Sequence, residues 1–401
     1  MTRHDDALGF VRVGDEDPGR FPTERVWADV VKLYETGLHP AIGLCVLYRG
    51  RPVLHRTIGH LLNRPSDDEV GSVASPDTLF SMFSASKIVS SMVVHSMVEE
   101  GALGLDDRMV EYLPELEGGG REAIRVRHLL NHTAGIPDVP KEMDVERAIA
   151  EGKIDFRELA ALRPTHPPGT FAAYAALTGW VLLAEIVERV AGRGIEIELR
   201  RRFLEPLALA HLGYGVSEAD EPRVARHAMT GLPVPSMMSK IFERSIGVPL
   251  ARAVELSNSH RFMSAVLPSV NVTGTILEMT RFMQMLLNGG ELAGTRVMLP
   301  HTIRRAITEV TPRQFDGTFG FPMRYGLGPM MGGTRFSLFG LGTKGAFGHL
   351  GLSAVVVYAD PRRHLAVSFL NTGKTMAAPG MLQWAWCLQR IIQAASAEGL
   401  R

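Results

Sequence analysis

The sequence contains little cysteine and has no net charge. Two cysteines occur among its 401 residues, Cys45 and Cys387, which excludes a disulfide framework and a CxxC metal site. Basic and acidic residues balance at 43 each, so there is no excess charge for binding a nucleic-acid backbone or an anionic membrane. We therefore expect no metal, no nucleic-acid partner and a reducing, cytoplasmic location.

Long hydrophobic runs are also lacking. No apolar run approaches the roughly 18 residues of a membrane span. Residues 1–19 are polar and acidic, without the apolar core of a secretory signal. The apolar fraction of 45% is ordinary for a globular protein, and the length allows one large core or two domains sharing a cleft. We expect a globular protein without a membrane span.

Hydrophobic periodicity divides the chain into strand-rich ends and a helix-rich middle. Residues 41–59 and 352–371 each have the pattern of two strands joined by a tight turn. Strands at both ends with helices between them predict an α+β protein. In this prediction residues 1–80 together with 265–401 form a discontinuous α/β domain, and residues 81–264 form a mainly helical domain. The Met- and Pro-rich segment 231–260 is a candidate lid.

Lysine is scarce, with only seven positions, and one of them follows a serine by three residues. Ser84 and Lys87 open an apolar helical stretch, where residues three apart lie on one face. A serine hydroxyl needs an adjacent base to act as a nucleophile. Buried lysine can lose its proton, whereas arginine effectively cannot. This spacing alone leaves open a helix-capping serine beside a surface lysine.

In its context, this SxxK motif resembles that of the serine β-lactamase and penicillin-binding-protein superfamily. The similarity is to the class C-like branch with the family VIII carboxylesterases, and it extends from His39 to the last helix. Residues 126–138 (VRHLLNHTAGIPD) and 286–306 are similar to segments of that branch. The resemblance implies an antiparallel sheet flanked by N- and C-terminal helices, a mostly helical domain, and an active site at their interface. It also implies that Ser84 is the nucleophile and Lys87 a base.

The resemblance places Tyr174 at the tyrosine of the family's YxN-type motif, within PPGTFAAYAALTG. A tyrosinate or a hydrogen-bonded phenol there can relay the proton from Ser84 to the leaving group. A buried structural tyrosine is the alternative. The third motif position is Ala176 instead of asparagine. Since that amide helps to hold acylamino side chains in the family, its absence argues against β-lactam or peptide substrates.

The family's third motif, Lys-Thr/Ser-Gly, is matched here by His349-Leu350-Gly351. The histidine can donate a hydrogen bond near the developing charge and ordinarily titrates near neutral pH. Gly351 allows the substrate to approach the strand backbone. The resemblance implies an oxyanion hole formed by the backbone N–H groups of Ser84 and Leu352. A structural histidine at a strand end is the alternative.

Two other lysines lie in sequences similar to known motifs, a Lys-Thr/Ser-Gly motif and a phosphate-binding loop. Lys344 in GTKG (342–345) precedes the predicted strand, so we assign it to a loop. Lys374 in LNTGKT would belong to a phosphate-binding loop only if position 368 were glycine, and that residue is Ser368. Neither HExxH nor GxSxG occurs, which excludes a zinc peptidase of that type and an α/β-hydrolase elbow.

These observations predict a serine hydrolase, specifically a carboxylesterase acting on short- to medium-chain esters through an acyl-enzyme on Ser84. We expect no cofactor and a small-molecule ester as the partner, and homo-oligomerisation is left open. An acyltransferase, a β-lactamase or a D-amino-acid peptidase would share the chemistry, and a non-catalytic binding or scaffold protein would share the fold. The pocket residues we expect are Met82, Ala176, Met237, Met238 and Phe242. Core packing by flexible methionine is the alternative for these methionines.

Overall fold

A computed structural model of the chain describes residues 11–12, 21–61, 73–311, 314–376 and 379–398. Much of the predicted first region, residues 1–10, 13–20 and 62–72, lies outside the described residues. So does the polar segment 1–19, except for Val11 and Arg12.

The largest sheet in the described residues is antiparallel. In chain order the strands are β1 Val11–Arg12, β2 Ala41–Tyr48, β3 Arg51–Gly59, β4 Phe80–Ser81, β5 Ala228–Met229, β6 Thr273–Gly274, β7 Glu291–Leu292, β8 Thr295–Arg296, β9 Gln314–Phe315, β10 Pro322–Met323, β11 Met330–Met331, β12 Phe347–Leu350, β13 Val356–Asp360, β14 Leu365–Asn371 and β15 Gly373–Lys374. Seven of them form a sheet in the order β1-β3-β2-β14-β13-β12-β11. The first and last parts of the chain therefore meet where β2 pairs with β14.

Most of the helices in the described residues lie between β4 and β12. They are α1 Thr23–Glu35, α2 Ser86–Glu99, α3 Met109–Tyr112, α4 Val126–Leu130, α5 Val145–Glu151, α6 Thr178–Ala191, α7 Ile195–Leu199, α8 Ser236–Ile246, α9 Leu250–Leu256, α10 His260–Ser264, α11 Ile276–Leu287, α12 Pro300–Ala306 and α13 Pro379–Glu398. Short 3₁₀ turns include Phe83–Ala85, which leads directly into α2.

The central strands are covered on both faces. Every residue of β2, β13 and β14 is buried, and since successive side chains point to opposite faces, neither face is open to solvent. Helix α11 packs against all three strands. A Cβ on Gly43 would lie 2.8 Å from Ile276 Cγ2, so glycine lets α11 approach β2 closely. Helix α1 packs against α13, where Arg390 pairs with Asp29 at 2.9 Å.

The predicted α+β architecture is confirmed, with its antiparallel sheet and its N- and C-terminal helices. Both predicted hairpins are present, and the division into two domains stays a prediction. Within the described ranges, no helix combines the length and apolar character needed to cross a membrane.

Helix α2 crosses the interior. Every residue from Ser86 to Met97 is buried, as the apolar pattern on several sides predicts. Lys87 therefore lies inside the protein and is not a surface residue, which removes one of the two interpretations of the SxxK spacing.

Candidate active site

Ser84 lies in the 3₁₀ turn that precedes α2 and is half-buried, while its neighbours on both sides are buried. The preceding residue, Phe83, has a φ of 46°, in the left-handed region that side chains other than glycine rarely adopt. Such backbone strain persists only where the surroundings impose it, and it clusters at functional sites. The strained turn leaves the Ser84 side chain accessible at the start of an otherwise buried helix.

Lys87 is fully buried and contacts three oxygens. Its Nζ lies 3.2 Å from Ser84 Oγ, 2.9 Å from the carbonyl oxygen of Ala176 and 3.2 Å from that of Ser269. Burial lowers the pKa of Lys87 well below its usual value of 10.5. A neutral amine has two N–H donors and one lone pair. It can therefore donate to both carbonyls while accepting the proton of the Ser84 hydroxyl.

Tyr174 lies against both members of this pair. Its hydroxyl lies near Ser84, and its ring centroid is 5.1 Å from Lys87 Nζ. Burial raises the pKa of the phenol, with the Ser84 hydroxyl acting in the opposite direction. Tyr174 is therefore a protonated phenol at neutral pH, not a tyrosinate. The structure brings together the three residues predicted for catalysis.

A buried aspartate that sequence reasoning missed holds the Tyr174 segment. Asp316 Oδ2 accepts hydrogen bonds from the Tyr174 backbone N–H at 3.0 Å and the Tyr325 hydroxyl at 2.9 Å. Its Oδ1 accepts from the N–H groups of Thr318 and Phe319. The only sequence signal was an Asp-Gly pair, which indicates a turn and no more.

His132 is a second residue of the site that the motif spacings in the sequence did not identify. Its ring lies between Tyr174, with ring centroids 4.6 Å apart, and Tyr325 at 4.9 Å. Nδ1 accepts a hydrogen bond from the Ala175 N–H at 3.1 Å. Burial holds the pKa of His132 well below 6.5, so the ring is neutral. This histidine packs behind the tyrosine and orients it.

His349 is fully buried near the end of β12. Its Nδ1 lies 2.6 Å from the Leu350 carbonyl oxygen, which assigns the proton to Nδ1 and leaves Nε2 as a hydrogen-bond acceptor. Burial, with a smaller contribution from Lys87, lowers the pKa of His349 to about 3. This shift does not support a donor that titrates near neutral pH, and the catalytic role of His349 stays a prediction. Nε2 is buried and has no partner among the described residues.

Gly351 brings the third motif beside the Ser84 turn. A Cβ there would lie 2.4 Å from the carbonyl oxygen of Met82, so the space that glycine leaves is used by the protein's own backbone. The predicted reason, room for substrate, is corrected accordingly. Leu352 follows in a half-buried loop, and Ser353 and Ala354 have φ values of 50° and 42°. This contact brings the loop of Leu352 up to the turn of Ser84.

The predicted pocket residues lie in different environments. Met82 is fully buried in the core, which favours the core-packing alternative, whereas Met237 is 75% exposed on α8, and their pocket role stays a prediction. Met238 and Phe242 are half-buried on the same helix, which is tied to the 138–139 segment by Arg244. Ala176 takes part through its carbonyl group, which accepts the hydrogen bond from Lys87.

A row of aromatic side chains leads away from Tyr174 instead. Ring centroids are 4.9 Å apart for Tyr174 and Phe319, 5.5 Å for Phe319 and Phe321, and 6.1 Å for Phe321 and Phe336. Phe336 borders a cavity of about 260 Å³ whose other lining residues are Pro322, Met323, Arg324, Met331, Thr334, Arg335, Ser337 and Leu338. We call Phe319, Phe321 and Phe336 the aromatic row. It offers an apolar surface beside the candidate catalytic residues.

Comparison with known proteins agrees with this geometry. Residues 30–386 match the family described as Beta-lactamase. Esterase/beta-lactamase LipL of Mycobacterium tuberculosis is 25% identical over 320 residues, covering 74% of this chain and 70% of that protein. A penicillin-binding protein homologue from Caulobacter crescentus superposes with a TM-score of 0.78 at 25% identity, covering 96% of this chain and 99% of the other.

A family VIII carboxylesterase superposes with a TM-score of 0.79 at 21% identity, covering 95% of this chain and 99% of that one, which shows a shared fold. The chain belongs to the Beta-lactamase family. It is a serine hydrolase of the β-lactamase and penicillin-binding-protein fold.

Proposed function

We propose that this protein is a carboxylesterase that hydrolyses uncharged esters through an acyl-enzyme on Ser84. The observation that carries the proposal is the buried amine of Lys87, 3.2 Å from Ser84 Oγ and bonded otherwise to two carbonyl groups. Burial favours the neutral form of this amine, and the neutral form can accept a proton. The phenol of Tyr174, beside Ser84 and Lys87, provides the second proton carrier.

In acylation, Ser84 Oγ forms a bond to the ester carbonyl carbon while its proton passes to Lys87 Nζ. The carbonyl oxygen becomes an oxyanion, which the backbone N–H groups of Ser84 and Leu352 stabilise. The bond to the leaving alcohol then breaks as Tyr174 donates its proton to the alcohol oxygen and regains one from Lys87. Water attacks the acyl-enzyme by the same proton transfers in reverse, releasing the acid and restoring Ser84.

The preference for esters over β-lactams and peptides rests on charge and shape. Position 349 is a neutral histidine where the family motif has a lysine, so no cation at this position attracts a substrate carboxylate. Position 176 is a buried alanine without an amide to hold an acylamino group. The aromatic row provides an apolar surface for an acyl or alkyl chain.

The test compares wild type, Ser84→Ala and the control Ser91→Ala on p-nitrophenyl esters of two, four and eight carbons and on a chromogenic cephalosporin. Ser91 lies on α2, and among the described residues its hydroxyl bonds only to the Ile88 carbonyl group, so the control removes a hydroxyl away from the reacting groups. We expect ester turnover and an acyl mass adduct in wild type and Ser91→Ala, and neither in Ser84→Ala. Faster turnover of the cephalosporin than of the esters would contradict the proposal. Acyltransferase activity would appear as a new ester when an alcohol is added to the reaction.

A further inference from the structure

A second buried lysine lies behind the candidate site, and the proposed reaction gives it no role. Lys374 in β15 is fully buried, and its Nζ donates to the Asn371 carbonyl oxygen at 2.8 Å. In the part of the chain that the structure describes, no carboxylate pairs with it. Buried lysines are rare because removing an unpaired amine from water is unfavourable. Its position therefore calls for a reason other than stability.

One contact of Lys374 reaches the turn that carries Ser84. Its Nζ lies 4.8 Å from the ring centroid of Phe83, the strained residue directly before Ser84. The His227 ring lies against Phe83 as well, with centroids 4.7 Å apart. A side chain packed in this way fixes the backbone of its own residue. The lysine and the histidine thus hold Phe83 where its φ of 46° is unfavourable.

The residues around Lys374 also hold the loop after Leu352. The Asn371 side-chain amide donates to the Ala354 carbonyl oxygen at 2.6 Å, and the Ser353 hydroxyl donates to the Thr375 carbonyl oxygen. Ser353 and Ala354 are the two strained residues of that loop. Since the Lys374 amine bonds the backbone of Asn371, one short segment, residues 371–375, contacts both strained parts of the site.

We propose that Lys374 is a positioning residue of the oxyanion hole. It fixes the Phe83 turn on one side and, through Asn371, the Ser353–Ala354 loop on the other, so that the N–H groups of Ser84 and Leu352 converge on one oxygen. The inference rests on the proposed acyl-enzyme chemistry. It assigns the lysine no contact with substrate and no proton transfer.

The test replaces Lys374 by methionine, which has similar volume. The matched control is Lys344→Met, at the exposed lysine of the GTKG sequence (342–345). Active sites are counted with a fluorophosphonate, and kcat and KM are measured with p-nitrophenyl butyrate. The inhibition constant of an alkyl trifluoromethyl ketone is measured too, because its hemiketal oxygen occupies the oxyanion hole. Removing an oxyanion donor outright lowers kcat about 10²- to 10³-fold, so a displaced donor should lower it about 10-fold.

We expect kcat per active site of Lys374→Met to fall about 10-fold with KM within about twofold, and the ketone inhibition constant to rise by the same factor. A variant that merely folds less well would lose active sites while each remaining site kept wild-type constants, and that result would overturn the proposal. If Lys374→Met does not fold, Asn371→Ser removes the amide donor to Ala354 and should show the same parallel changes. Wild-type constants in Asn371→Ser would equally contradict it.

The two proposals fail in different ways. If the wild type binds the ketone but hydrolyses no ester, the proposed carboxylesterase activity is disproved. The ketone inhibition constants of the variants would still test the positioning role of Lys374. Ester turnover with unchanged constants in both variants would disprove only the role of Lys374. A wild type that neither turns over esters nor binds the ketone would overturn both.

Discussion

The carboxylate of Asp316 accepts a hydrogen bond from the backbone N–H of Tyr174 at 3.0 Å, across 142 positions of the sequence. The same oxygen accepts from the Tyr325 hydroxyl, and Tyr325 packs on His132, which packs on Tyr174. Tyr174 is thus held through its backbone from one side and through its ring from the other. This arrangement leaves the phenol free to contact Ser84.

Replacing Asp316 by asparagine should weaken catalysis without touching the reacting groups. An amide has one acceptor oxygen in place of two, so some of the four donors around residue 316 lose their partner. We expect kcat for p-nitrophenyl butyrate to fall about 10-fold and the free energy of unfolding to fall by about 1–3 kcal/mol. Tyr325→Phe is the matched control, since it removes one donor and leaves the Tyr174 N–H bond intact. A larger loss of kcat in the control would contradict this positioning role.

Lys87 should be irreplaceable by arginine. Arginine keeps the positive charge but effectively never loses its proton, so it cannot serve as the base. We expect Lys87→Arg and Lys87→Met to lose about 10³-fold or more in kcat/KM for p-nitrophenyl butyrate. Lys240→Met, an exposed lysine on α8, is the control and should keep wild-type activity. Appreciable activity in Lys87→Arg would disprove the base assignment.

The pH dependence of kcat/KM follows from the same amine. Lys87 acts only when deprotonated, so activity should rise with pH through its pKa, which burial places well below 10.5. His349 should contribute no step near pH 6.5, because burial lowers its pKa to about 3. A rate profile from pH 5 to 10 tests both statements. An activity limb near pH 10, or a limb near pH 6.5 that His349→Gln abolishes, would contradict them.

Local patterns in the sequence were sufficient to locate Ser84 and Lys87. A spacing of three on an apolar helix follows from helical periodicity, and full burial of the helix interior follows from its apolar pattern. The antiparallel hairpins at both ends were predictable for the same reason, since strand alternation and tight turns are local.

The features of the site that the sequence did not predict depend on contacts between distant segments. Asp316 reaches Tyr174 only after β9 and the segment before α6 come together, and no spacing rule predicts that encounter. The protonation of His349 depends on burial and on the Leu350 carbonyl group, neither of which the residue type reveals. Lys374 looked irrelevant once a phosphate-binding loop was excluded, because its partners Phe83 and Asn371 are set by tertiary packing.

The aromatic row should determine how well long esters are used. Phe336 is at its outer end, 48% exposed and bordering the cavity, so truncating it removes apolar contact from the far end of a chain. We expect Phe336→Ala to lower kcat/KM about 10-fold for the eight-carbon p-nitrophenyl ester and by less than twofold for the acetate. Phe315→Ala is the control, because Phe315 is 64% exposed on β9 and, among the described residues, makes no ring contact with the aromatic row. Equal losses on both esters would contradict a chain-binding role.

Lys374 should also make stability depend on pH, which is separable from its effect on catalysis. Burial lowers its pKa from 10.5 to about 7 in the folded protein. Below pH 7 both states bind the proton, whereas between pH 7 and 10.5 only the unfolded chain does. The free energy of unfolding therefore rises across that window by about 1.4 kcal/mol per pH unit from this group alone.

Lys374→Met lacks this titration, so its stability relative to wild type should be greatest at pH 7 and below and should decrease steadily toward pH 10.5. Urea unfolding of both proteins at pH 6.5, 8 and 9.5 measures the difference, in which the contribution of Lys87 cancels. Lys344→Met, at an exposed lysine, is the control. A difference for Lys374→Met that does not change with pH would show that Lys374 keeps its ordinary pKa in the folded protein. Its amine would then remain charged at neutral pH against the face of the Phe83 ring.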